Sequence, residues 1–198
     1  TPTPAGASGR WSVRAVNKYV GAGVWPALSA GSFESIATVT VGAGGASSIE
    51  FTNIPGTYQH LQIRYVSRSA STTANRFNLN INGDTTNSAY WHSLYGAGAG
   101  AAAYTVSTAY IQVGSMPVSS DTANVFGVGI VDILDYAVSG KNRVIRALAG
   151  HDLNGSGLVL INSGARYNTD SITSLTFTPN AVENFAQHST FALYGIKA

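Results

Sequence analysis

Cysteine is absent from this sequence. That excludes a disulfide framework, a thiolate metal site and a cysteine nucleophile together. Charge is scarce as well: 10% of the residues are Asp, Glu, Lys or Arg, against about 25% in an ordinary soluble domain. A surface so short of charge is covered by Ser, Thr, Asn, Gln and Gly, or by other subunits. No stretch approaches the roughly 18 consecutive apolar residues of a membrane-crossing helix, and no signal-peptide pattern opens the chain, so no membrane partner is expected. Carboxylates are missing altogether from residues 1–31, the segment that holds Arg10, Arg14 and Lys18 and two of the three tryptophans, Trp11 and Trp25.

The formal net charge of +2 therefore conceals two unlike parts. Residues 32–198 carry eight Lys or Arg against nine Asp or Glu and stand at −1. Counterion release on nucleic acid needs several clustered cations, so no nucleic-acid partner is expected for the body. A chain of 198 residues suits one domain that buries roughly 70% of its unfolded surface, together with one appendage. The reading is an attachment arm over 1–31 and a globular body over 32–198.

Within the arm, Ser8 is placed to cap a helix that Gly21 ends. Arg10, Arg14 and Lys18 recur every four residues and form one stripe. Trp11, Ala15 and Tyr19 form the adjacent stripe, widened by Val13, Val16 and Val20. Valines weaken the intrinsic helix preference, so a helix this short needs a partner surface. Trp25-Pro26 then imposes extended backbone. Aromatic and arginine side chains are what buried contact patches use. Arg10, Trp11, Arg14, Lys18, Tyr19, Trp25 and Pro26 are therefore the candidate partner-binding residues. The competing reading is a helix that folds back onto its own body.

The body reads as strands. Phe33, Ala37, Val39 and Val41 are expected to point one way, with Glu34, Thr38 and Thr40 opposite. A glycine-rich turn over 42–46 leads to Ser48-Ile49-Glu50-Phe51-Thr52. Leu61, Ile63 and Tyr65 alternate with Gln62 and Arg64, and Phe77, Leu79 and Ile81 alternate with Asn78, Asn80 and Asn82 before Gly83-Asp84 turns the chain. Further strands are expected near 90–95, 105–113, 124–136, 143–152, 158–163, 172–177 and 190–196. Residues 125–134 are apolar on both parities, as in a central strand. The small-residue run 96–103 reads as a long flexible loop able to order against a neighbour. About ten strands without a βαβ rhythm predict an all-β fold: an antiparallel, jelly-roll-like β-sandwich behind an arm containing one short helix.

Catalytic patterns are weak. His60, His92, His151 and His188 fall on different predicted strands with no metal-ligand spacing. Asp132 and Asp135 resemble a carboxylate pair of the kind that cleaves glycosides, but their odd spacing predicts opposite faces. No Gly-x-Ser-x-Gly elbow is present, Asn154-Gly155-Ser156-Gly157 reads as a hairpin turn, and Gly42-x-Gly44-Gly45 opens no helix. Asn82-Gly83-Asp84 offers too few oxygens for calcium. No catalytic residue, metal, cofactor or enzymatic activity is expected. Tyr90, Trp91 and Tyr95, beside His92, form the densest aromatic patch and are candidates for glycan binding. Against this stands core packing of alternate members such as Trp91 and Tyr95.

The segment 35–64, running from Ser35-Ile36-Ala37-Thr38 through Asn53-Ile54-Pro55-Gly56-Thr57-Tyr58 to Ile63-Arg64, resembles a recurrent sequence in structural proteins of tailed bacteriophages, including those of cyanobacteria. The close of the chain, Ser189-Thr190-Phe191-Ala192-Leu193-Tyr194-Gly195-Ile196-Lys197, is similar to the final strand of that group. Trp11-Ser12 through Trp25-Pro26 resembles a short attachment module near the start of phage fibre and decoration proteins. The resemblance implies a virion structural component on the outer surface of the head or on the tail. As a capsid decoration or cement protein it would hold the major capsid protein through its arm and form a homo-oligomer such as a trimer. As a tail-fibre or receptor-binding component it would bind a host glycan.

Overall fold

The computed structural model describes residues 12–22, 32–86, 88–98, 100–181 and 183–197. The chain divides into two compact units, Thr1–Ser32 and Phe33–Ala198.

The first unit contains one described element, helix α1 (Val13–Gly21). Its cap is Ser12, in extended backbone, whose Oγ accepts the Ala15 N–H at 3.2 Å. That bond satisfies one of the donors a helix start leaves open. The cap thus falls four positions after Ser8, the residue expected from sequence. Gly21 is the last helical residue, and the Ala22 N–H closes the turn on the Lys18 carbonyl at 3.2 Å. Arg10, Trp11, Trp25 and Pro26 lie outside the described residues.

The second unit is all-β. Its strands are β1 (Phe33–Thr40), β2 (Ile49–Phe51), β3 (His60–Ser67), β4 (Arg76–Ile81), β5 (Ala89–Ala97), β6 (Gly100–Thr108), β7 (Ile111–Ser115), β8 (Gly127–Ile133), β9 (Arg143–Asp152), β10 (Gly157–Arg166), β11 (Leu175–Pro179) and β12 (Thr190–Ile196). They form an eight-stranded sheet in the order β1-β12-β3-β8-β9-β10-β5-β6 and a four-stranded sheet in the order β2-β11-β4-β7. Without β5, β6, β9 and β10 the two sheets read β1-β12-β3-β8 and β2-β11-β4-β7. The chain crosses between them at every step except β4 to β7, which is a jelly roll. The four extra strands are two hairpins, β5–β6 inserted after β4 and β9–β10 after β8. Both extend the larger sheet beyond β8.

The sheets close on an aromatic centre. Phe77 on β4 meets Tyr65, Phe185 and Phe191 edge-on, at centroid distances of 4.8, 5.5 and 5.5 Å. Such geometry adds to the area term of burial. Around it Leu61, Ile63, Val131 and Ile133 of the larger sheet pack on Ile49, Leu79, Ile111 and Phe177 of the smaller. Gly114 on β7 leaves the room Phe77 needs, since a Cβ there would lie 2.0 Å from the ring.

Two sequence expectations change here. A bulge between Ser35 and Ala37 shifts the register of β1 and reverses its parity, because one extra residue moves the preceding side chains to the other face. Phe33 therefore stacks on outward-facing Tyr194 at 4.9 Å, with the Arg64 guanidinium 5.0 Å from its ring centroid. Residues 96–103 do not form a long loop: they finish β5 and begin the edge strand β6, paired Gly96↔Ala101 and Ala97↔Gly100. Flanking strand pairing overrides the weak β-propensity of Ala and Gly.

Candidate functional site

Two surfaces stand out. The first is α1. Ala15, Val16 and Tyr19 are half-buried, whereas Arg14 and Lys18 are exposed one turn apart. Val13 and Val20 are also left in solvent, at 76% and 55% exposure. The helix carries no carboxylate, and Lys18 in its last turn suits the negative end of the helix dipole.

The second surface is the outward face of the eight-stranded sheet. Pairing aligns Arg64, Ile130, Leu148, Ile161, Leu94 and Ala103 in one row across β3-β8-β9-β10-β5-β6. The adjoining row is Val66, Val128, Gly150, Val159, Gly96 and Ala101. The seven branched aliphatic side chains in these rows range from 38% (Ile130) to 57% exposed (Val159). Leu148 and its row neighbours form a ridge. Gly150 lies in a trough of about 450 Å³ bordered by Arg64, Val128, Ile130 and Leu148.

A polar row follows on the other side of the ridge: Gln62, Asp132, Arg146, Ser163, His92 and Thr105. Its first members are bonded to one another. Arg64 Nε donates to Gln62 Oε1 at 2.9 Å, Gln62 Nε2 to Asp132 Oδ1 at 2.9 Å, and Arg146 Nη2 reaches Asp132 Oδ2 at 2.9 Å. Beyond it lies a hollow of about 540 Å³ lined by Asp132, Asp135, Lys141, Val144 and Arg146. Opposite faces were expected for Asp132 and Asp135. Asp135 instead follows the end of β8 in a turn, at φ 50°, so strand alternation no longer applies and both carboxylates border the same hollow. The Lys141 ammonium beside Asp135 holds that carboxyl below its usual range. The turn is anchored from beneath by buried Arg143, whose guanidinium donates to the carbonyls of Tyr136, Val138 and Lys141.

The other sequence candidates are dispersed. His60 Nδ1 accepts the Asp135 backbone N–H at 3.0 Å, so in that tautomer its 3.5 Å approach to the Asp135 carboxylate is not an ion pair. His151 lies 3.3 Å from Ser115 Oγ, and burial pushes its pKa down. Among the described residues no three His, Asp or Glu side chains are grouped to hold a metal. Asp84 is used locally: it accepts from the Thr86 and Ser88 hydroxyls and from the Thr86 N–H, and lies 3.6 Å from Arg166, which together bring its pKa to about 2.

Of the aromatic candidates, Trp91 is buried and faces the core. Tyr95 is half-buried, its ring centroid 5.7 Å from the Arg76 guanidinium. Only Tyr90 of the three is exposed on the open face, meeting exposed Tyr167 edge-on at 5.3 Å. The apolar rows themselves were missed as a site. Their signal was available in residues 125–134, apolar on both parities.

No protein-family model matches the chain, and no curated protein does. A similar solved structure is the marine PL-14 alginate lyase from Aplysia kurodai, matched over 80% of each chain at 6% identity and a TM-score of 0.25. The expectation that the chain lacks enzymatic activity is corrected: the strand-parity reason for dismissing Asp132 and Asp135 fails in the structure, where both border one hollow. A likeness this slight assigns no activity in its place.

Proposed function

We propose that this chain is a structural protein of a bacteriophage virion. It decorates the capsid, holding the shell through the segment that contains α1. The observation that carries the reading is the state of that helix: capped and free of carboxylates, with Arg14, Lys18, Val13 and Val20 in solvent. Cations beside apolar side chains suit a surface that supplies both carboxylates and a hydrophobic pocket, such as a shell protein. The resemblance of segments 35–64 and 189–197 to tailed-phage structural proteins supports the same setting. Arg14→Glu with Lys18→Glu in the full chain is expected to abolish co-sedimentation with virions of the encoding phage while the far-UV circular dichroism is unchanged. Undiminished co-sedimentation of that variant sinks the reading.

A second reading, a tail component that binds host glycan, draws on the exposed Tyr90–Tyr167 pair beside His92 and Ser163. Its test is glycan-array binding lost in Tyr90→Ala. Trp91 is not a suitable probe, because its ring lies in the core.

A further inference from the structure

We propose that the outward face of the eight-stranded sheet is a self-association surface, covered in solution by the same face of a second copy of this chain across a two-fold axis. Contiguity is the first ground. Val66, Val128 and Val159 adjoin Ile130, Leu148, Ile161 and Leu94 with no charged side chain between the rows. Together they present on the order of 600 Å² of apolar side chain, the upper end of what a monomer ordinarily shows. Tyr90, Leu134, Val144 and Tyr167 are also exposed beyond the polar row, so a contact that spans this row as well approaches the roughly 800 Å² per partner of a stable interface.

Strand composition is an independent ground. In β8, β9 and β10 the apolar residues fall on both parities: Val128 and Ile130 with Val131 and Ile133, Leu148 with Ile145, Val159 and Ile161 with Leu160. Strands read this way when both faces of their sheet are covered. Here the four-stranded sheet covers one face only.

Charge and relief then favour a second copy over a partner of another kind. The adjacent polar groups are already bonded in the chain Arg64–Gln62–Asp132–Arg146. A strongly charged partner gains little from them; Arg64 is the one cation among them without a carboxylate, and it stands at the β3 end of its row over the Phe33 and Tyr194 rings. The ridge at Leu148 and the trough at Gly150 lie on one face, so each copy offers what the other lacks, as an isologous contact requires. Two sheets packed this way repeat the sheet-on-sheet contact of the interior, about 10 Å apart.

Pairing stands apart from attachment, and the experiment separates them. Sedimentation equilibrium of the full chain over a concentration series is expected to give twice the monomer mass. Leu148→Asp with Ile161→Asp is expected to give the monomer mass, a weakening of at least about 100-fold. Arg14→Glu with Lys18→Glu leaves pairing intact whether or not it removes virion binding. Should the aspartate variant misfold, Leu148→Thr with Ile161→Thr decides, since threonine keeps the strand preference. Wild-type chain that stays monomeric at about 100 μM, too weak for a specific pair, overturns the proposal. So does an assembly that survives the substitutions with the fold intact, and so does a face that becomes protected only on virions.

Discussion

On the inner side of β3 and β8, Leu61, Ile63, Val131 and Ile133 are sealed by the four-stranded sheet; on the outer side of the same strands, Val66, Val128 and Ile130 stand in solvent. The residue types are nearly the same, and so is the backbone that carries them. What differs is the layer opposite. The inner side faces Phe77 and its ring neighbours, so each side chain there is held by the fold itself. The outer side faces nothing within the described chain. Hydrophobic character alone therefore does not say whether a side chain serves folding or association. The two uses separate only under mutation.

The sharpest way to break the comparison is at its centre. Phe77→Ala is expected to cost about 3–5 kcal/mol, the range for removing a large aromatic from a close-packed core, read as a lower denaturation midpoint that does not vary with protein concentration. A concentration-dependent loss would mean that the interior depends on assembly.

A smaller effect is expected at Asp84, in the turn after β4. Its folded pKa, about 2, lies below the ordinary 3.8, so its stabilisation is present above about pH 4 and is lost as pH falls through about 2. Asp84→Asn should lower stability at pH 7 by about 1–2 kcal/mol and flatten the pH dependence between pH 4 and 2. Thermal melts across that window check both. The smallest effect belongs to the open face. Val159→Thr should change the stability of dilute monomer by no more than about 0.5 kcal/mol, measured by chemical denaturation below the association range. A larger cost would place Val159 functionally with the core.

Much of the frame was legible. The strict alternation of Phe77, Leu79 and Ile81 with three asparagines placed β4 and its inward face. The asparagines also have a use the pattern did not suggest: Asn82 Oδ1 accepts the Thr173 and Ser174 N–H groups and so pins the 171–174 loop. The turn read at Gly83-Asp84 forms one residue earlier as well, because Asn82 and Gly83 both take the left-handed conformation, at φ 54° and 64°. The bulge in β1 was not legible, since one extra residue leaves composition and alternation looking normal on either side of it. Nor was the first half of β6, whose alanines become a strand only through pairing with β5, although its second half falls in the strand expected near 105–113. Asp135 was misplaced for a related reason: where a strand ends decides which way its next side chain points, and strand ends are set by tertiary contacts such as those of Arg143.

The first and last strands of the body pair with each other, Phe33 opposite Ile196. Residues 33 and 197 thus come within reach of a short linker, while Ala97 and Gly100 form a tight bend at the far border of the larger sheet. A circular permutant joined at the first point and opened at the second would keep every ladder while reversing which half of the jelly roll leaves the ribosome first.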